Sequence, residues 1–167
     1  MPATKFWTPA EGGCPCRKIR YRLEDSPLVV HCCHCTWCQR ESGSAFALNA
    51  MIETKNVKLL SSEEPILVYT PSASGEGQQI ARCPKCQFMV WSSYGDDGDI
   101  MCAVRVGTLD APSEAPPNVH IFTSTKQPWV VLGNELPIKE EYYQREEIWS
   151  KASLERRMQY LKALGLM

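Results

Sequence analysis

The chain has 167 residues, with 18 Lys plus Arg against 19 Asp plus Glu and a formal net charge of −1. That length fits one domain with a sizeable core, and the balanced charge lacks the basic excess of a nucleic-acid binder or an anionic-membrane binder. No apolar run is long enough to span a bilayer, so neither nucleic acid nor membrane is expected as a partner.

The opening stretch, MPATKFWTPAEGG, has no positive start followed by an apolar segment, so it does not read as a secretory signal. The expected compartment is therefore reducing: cytoplasm, with the nucleus as the alternative. Nine cysteines in 167 residues fall below the roughly 8–10% of disulfide scaffolds. Their number is odd and their spacings are short. In a reducing compartment such clusters read as metal ligands rather than disulfides.

In chain order, Gly12-Gly13 precede Cys14-Pro15-Cys16, where glycine lets the backbone turn tightly before a C-x-C pair. Ile19 to Leu23 alternates apolar and charged residues, as a half-buried strand does. Asp25-Ser26-Pro27 is a turn, and Leu28 to Cys32 is a second strand, so the two read as a hairpin. Then comes Cys33-His34-Cys35-Thr36-Trp37-Cys38, a C-x-C-x2-C run, closed by the breaker Ser42-Gly43-Ser44. Ala45 to Ile52 is an apolar strand holding one polar residue, Asn49. Val57 to Leu60 and Ile66 to Tyr69 are short strands, and Ser72 to Gly77 is a loop. Cys83-Pro84-Lys85-Cys86 precedes the strand Phe88 to Trp91. Asp96 to Asp99 is a turn, and Ile100 to Val106 is a β-branched, apolar strand. His120 to Phe122 and Trp129 to Val131 read as extended pieces. Leu154, Met158, Leu161 and Leu164 recur at helical spacing, with Ser150 or Ser153 to cap the start and Gly165 to end the helix.

Cys14 and Cys16 with Cys83 and Cys86 make two thiol pairs, and two such pairs form a four-thiolate tetrahedron that suits structural zinc. Cys33, Cys35 and Cys38 supply three more thiolates and leave a fourth position undecided. Filled by protein, the site is structural; open to water or substrate, it is catalytic. His31 and His120 are the rivals for that position; a closed structural site completed by Cys32 or a histidine, and a redox dithiol at Cys35 and Cys38, are the other readings. Cys32, pointing away from Cys33 on an extended segment, and Cys102, in an apolar strand, read as small buried hydrophobes. His34 reads as a structural or rim histidine, and Trp129 as a residue with a core or fold role, pocket lining being its rival reading.

These same residues carry a resemblance. Gly-Gly-Cys14-x-Cys16 with Ile19-Arg20-Tyr21, then Cys33-His-Cys35-x-x-Cys38-Gln-Arg-x-Ser42-Gly-Ser44-Ala-Phe46, then Cys83-Pro-x-Cys86 resemble the glutathione-dependent formaldehyde-activating enzyme family, which includes centromere protein V. Gly107-Thr-Leu109-Asp110, Pro116, His120-Ile-Phe122 and Trp129 follow in the family's order. The resemblance covers residues 12 to about 137. It implies a mainly β, "β-tent" domain of small antiparallel sheets over residues 12–137, after an N-terminal extension of residues 1–11. The C-terminal helical extension of residues 138–167 lies beyond it. It implies two zinc ions per chain: a structural one on Cys14, Cys16, Cys83 and Cys86, and a catalytic one on Cys33, Cys35 and Cys38. The expected activity is that of a carbon–sulfur lyase acting on a small thiol such as glutathione. Arg40, Ser42, Ser44 and Asn49 are the candidate substrate-binding residues. The reading from another class is a non-catalytic, zinc-stabilised interaction module, with the terminal helix serving a partner or a homodimer. Two positions depart from the family pattern, Arg17 and Gln87, where glycine is usual. Each must accept the backbone conformation that glycine would adopt.

Overall fold

A computed structural model describes residues 9–73, 75–94 and 100–167. The expected turn at Asp96 to Asp99 lies outside the described residues. The protein is mainly β, with two sheets, few helices and a helix at its C-terminus. The small sheet holds β1 (Ala10–Gly13), β2 (Arg20–Leu23) and β5 (Val57–Leu59), in the order β1-β2-β5. The large sheet holds β3 (Val29–Cys33), β4 (Ala47–Glu53), β6 (Ile66–Thr70), β7 (Gln78–Arg82), β8 (Met89–Tyr94), β9 (Met101–Arg105) and β10 (Val119–Ile121). Its order is β10-β3-β4-β9-β8-β7-β6. All its pairs are antiparallel except β10 with β3. No helix among the described residues is long and apolar enough to cross a membrane.

The expected hairpin of the second and third strands does not form: β2 and β3 lie in different sheets. The reason is burial. All five residues of β3 are buried, so this strand needs a neighbour on each side, and it takes β4 and β10. β2 instead alternates, burying Tyr21 and Leu23. It pairs with β1, whose two glycines strand propensity disfavours. Gly12 is required there: a Cβ at this position would come within 2.5 Å of the Thr108 carbonyl and 2.6 Å of the Tyr21 hydroxyl.

Strand alternation sorts the large sheet into two faces. Val30, Ala50, Ile52, Cys102 and Val104 pack with Ile19, Tyr21 and Leu23 of the small sheet into one core. The other face carries His31 and Cys33 from β3, Asn49 and Met51 from β4, and Met101, Ala103 and Arg105 from β9. Three of these join Val119, Ile121, Tyr143 and Trp149 in a second core cluster or pack against it. One period-2 pattern thus separates the molecule's structural core from its polar cavity.

The helices are α1 (Thr36–Ser42), α2 (Arg145–Ile148) and α3 (Lys151–Ala163). The seven residues of α1 start on the Cys35 sulfur, which accepts from the Cys38 amide, and end on Gly43 at φ 63°. Gly43 carries the left-handed cap that glycine makes at low cost. α3 is capped by Ser150, whose oxygen accepts from the Ser153 amide. Its Leu161 is buried, while Met158 and Leu164 stay exposed. Arg156 docks it, placing Nε 2.9 Å from Glu53 Oε1 and Nη2 2.9 Å from Glu53 Oε2. The expected extended piece at Trp129 to Val131 forms no strand, and Trp129, expected in the core, is 70% exposed. No neighbouring strand offers that segment a ladder. β10 stops at Ile121 because Phe122 turns left-handed, at φ 54°.

Candidate metal centres and the cavity beside them

Two knuckle-like turns bring Cys14, Cys16, Cys83 and Cys86 together. In the first, the Cys14 amide donates to Ile19 O and the Arg17 amide to Cys14 O; in the second, the Cys83 amide donates to Phe88 O and the Gln87 amide to Cys83 O. The Ile19 amide also points at the Cys14 sulfur, 3.3 Å away. All four sulfurs lie within 4.8 Å of one another, with Cys14 to Cys16 at 3.5 Å and Cys16 to Cys83 at 3.6 Å. Those separations are near the edge of about 3.8 Å in a zinc tetrathiolate with bonds of ~2.3 Å. No two cysteines are bonded as a disulfide. The donor set fits a metal ion, and that ion would tie the small sheet to the β7–β8 turn. Arg17 and Gln87, the two departures, sit at φ 61° and 60°. Both turns therefore keep the glycine-like conformation without glycine.

Cys33, Cys35 and Cys38 form the second cluster. β3 delivers Cys33, the helix-capping residue is Cys35, and the first turn of α1 presents Cys38. All three are buried, and their sulfurs lie within 4.8 Å of one another. Hydrogen bonds from the Cys33 and Cys35 thiols, with Arg105 behind them, pull Cys38 far below the ordinary thiol value. The same sharing, reinforced by burial, pushes Cys33 up. Arg105 Nη1 stands 3.9 Å from Cys38 Sγ and 2.6 Å from Asn49 Oδ1, and Asn49 Nδ2 stands 3.7 Å from the same sulfur. Asn49 and Arg105 face each other across the β4–β9 ladder.

The three sulfurs open onto a cavity of about 940 Å³, in the upper part of the ~300–1,000 Å³ range of small-molecule sites. One wall is the sheet face that carries His31, Asn49 and Arg105. Gln78 and Tyr94 line another side, and burial raises the Tyr94 phenol well above its ordinary value, so it stays protonated. A third wall comes from the C-terminal segment through Tyr142, Arg145, Trp149 and Arg157. His31 is 3% exposed, and burial pushes it down to about 4. Its Nε2 lies 2.6 Å from the Tyr143 hydroxyl, which also accepts from the Trp149 indole at 3.0 Å. Among the described residues, His31 points at this wall rather than joining the Cys33, Cys35 and Cys38 group.

The other expected site residues are placed as follows. Asn49 lines the cavity. Arg40 is exposed on α1, two positions past Cys38 and turned away, and it is not part of the cavity wall. The Ser42 hydroxyl donates to Cys38 O at 2.7 Å, a bond that closes the end of the helix. Ser44 is exposed beyond that end. His120 lies elsewhere, against His34 and Cys32. His34 is fully buried rather than at a rim. Sequence reasoning missed Arg105, Tyr94, Arg145 and Arg157. Arg105 carried a signal: it shares the alternation phase of Met101 and Ala103, so a strand reading places a charge on their face. The C-terminal arginines carried none, because tertiary docking alone brings them in.

The model of the family described as "Glutathione-dependent formaldehyde-activating enzyme" matches residues 9–125. No curated protein matches the chain. Among solved structures, one of a protein from Rhodobacter sphaeroides is similar at 15% identity and a TM-score of 0.43, covering 60% of this chain and 87% of that one.

Proposed function

This chain belongs to the glutathione-dependent formaldehyde-activating enzyme family, and on that premise we propose that it is a zinc-dependent enzyme of the carbon–sulfur lyase type. It makes or breaks the C–S bond of a small thiol's adduct, with glutathione as the thiol and formaldehyde as the electrophile that the family's description supplies. The observation that carries this reading is the meeting of three buried thiols with a large cavity. A closed structural site has no need of such a cavity.

In this reading Cys14, Cys16, Cys83 and Cys86 hold a structural zinc, and Cys33, Cys35 and Cys38 hold a second. The second ion would supply a soft Lewis acid that suits an incoming thiol and lowers its pKa. The chain's own residues do the rest. Asn49 and Arg105 hold Cys38 in place and offset the negative charge of the thiolates. Burial holds the His31 pKa down to about 4, so this imidazole itself is neutral at neutral pH. Arg145 and Arg157 give the cavity cationic groups on the side away from the sheet, where they suit the carboxylates of a glutathione-like thiol. The net step joins the thiol sulfur to the carbonyl carbon, as the C=O bond becomes C–OH and the thiol proton passes to that oxygen. Cleavage is the reverse.

The test is exchange spectroscopy on ¹³C-formaldehyde mixed with glutathione and the zinc-loaded protein. Interconversion of free aldehyde and S-hydroxymethylglutathione should speed up with enzyme concentration. Cys33→Ser should abolish the acceleration while leaving the fold intact by circular dichroism. If loaded wild-type protein speeds neither this aldehyde nor other small aldehydes, and the spectrum of its cobalt form ignores added thiol, the proposal is wrong.

A further inference from the structure

A third group of ligand atoms lies on the opposite side of β3 from the cavity. Alternation along the strand sends His31 and Cys33 to the cavity face and Cys32 to the other. His34, two residues beyond Cys32, follows it. β10 then adds His120, which is the register partner of Cys32 in the parallel pair. Cys32 Sγ, His34 Nε2 and a ring nitrogen of His120 lie within 4.8 Å of one another.

Two of the three separations match the edges of a coordination polyhedron, and the third is within 4.8 Å. Cys32 Sγ is 3.5 Å from His34 Nε2, which is 3.1 Å from His120 Nδ1. With Zn–S of ~2.3 Å and Zn–N of ~2.0 Å, tetrahedral edges come to about 3.5 Å for S···N and about 3.3 Å for N···N. Hydrogen bonding alone satisfies this group poorly. A single nitrogen of His34 faces both a sulfur and a second imidazole, while its buried Nδ1 has no hydrogen-bond partner. One lone pair or one proton serves two neighbours badly. A cation would use all three lone pairs at once, and the buried Nδ1 is without a hydrogen-bond partner in either case.

We propose that Cys32, His34 and His120 form a third metal site, for a borderline-soft divalent cation of the zinc class. One thiolate and two imidazoles are a donor set that such ions accept. The site differs from both sulfur-only clusters in its donor chemistry, and from the Cys33, Cys35 and Cys38 cluster in its face of β3. Cys32 and His34 are buried, whereas His120 on the edge strand is partly exposed and gives the ion a way in. Its consequence is structural. β10 is held to β3 over three residues, and the ion would fasten that edge through side chains as well.

The experiment is ¹¹³Cd NMR of the full chain reconstituted with cadmium, together with metal analysis. Cadmium bound to one sulfur and two nitrogens resonates well upfield of cadmium bound to sulfur alone. Wild-type protein should hold about three ions per chain and show a separate upfield line, and both Cys32→Ser and His120→Ala should lower the count to about two and erase that line alone. Cys33→Ser should instead remove a downfield line and spare the upfield one, which separates failure of this site from failure of the proposed activity. If Cys32→Ser does not fold, His120→Ala on the edge strand decides. Two ions in saturated wild-type protein, or an upfield line that survives His120→Ala, would overturn the proposal.

Discussion

Gln87 shows how a single backbone angle links sequence to site. It occupies φ 60° in the turn that presents Cys83 and Cys86. Left-handed backbone costs a non-glycine residue about 1–2 kcal/mol, while glycine's greater freedom in the unfolded chain returns roughly 0.5–1 of that. Gln87 keeps one compensation, with its side-chain amide donating to Pro84 O at 3.0 Å. Replacing Gln87 by glycine should therefore raise stability by about 0.5 kcal/mol, read as a shifted urea midpoint with an unchanged slope. Lower stability would mean that the amide bond outweighs the strain. This position was legible in the sequence, because a knuckle turn needs that angle whatever residue supplies it. Asn49 was legible too, as the one polar residue in an apolar strand. Its partnership with Arg105 was not, since it depends on which strand β4 pairs with. The strands that alternate cleanly or run apolar declared themselves. β1 and α1 did not, being respectively glycine-bearing and only seven residues long.

At the scale of elements, the fate of the C-terminal segment depends on α3. The residues of this helix are mostly exposed, and little apolar surface holds it. Its anchor is ionic. Arg156 meets Glu53, which is 1% exposed, and also contacts Asp25 and Ser26. Lys55 adds a cation over the Tyr160 ring at 4.0 Å. Removing Arg156 would leave the Glu53 carboxylate buried without its cation, with the Asn56 amide still donating to it. Breaking such a pair from one side costs on the order of 3 kcal/mol. Arg156→Ala should thus lower global stability by about that amount and speed amide exchange across Lys151–Ala163 before the sheets respond. If α3 keeps its protection in this variant, the anchor lies elsewhere. Helical periodicity revealed this helix, but not its docking. Its apolar stripe is thin, and the residue that matters carries a charge.

For the whole molecule, the four-cysteine cluster joins the small sheet to the β7–β8 turn of the large one, beside a core that both sheets share. Structural zinc in small peptides binds with an apparent ~10–16 kcal/mol, comparable to the whole ~5–15 kcal/mol stability of a typical domain. Stripping metal with a strong chelator at neutral pH should therefore abolish the near-ultraviolet circular dichroism of the packed aromatics, and zinc should restore it. A chelated protein that keeps a cooperative thermal transition would show that the sheets hold without the ion. The two sulfur clusters could be read from cysteine spacing, and the mainly β class from strand alternation together with the family resemblance. The division into two sheets could not, because it depends on which strands need two neighbours.

The parallel pairing of β10 with β3 has one more consequence, during synthesis. β3 is made early, with Cys32, Cys33 and His31 already in it, yet one of its flanks waits for residues 119–121. Until Ile121 has cleared the ribosome, the thiols of β3 sit on a ladder open along one side. A nascent chain paused before that point would hold two of its nine thiols on a strand still lacking one neighbour.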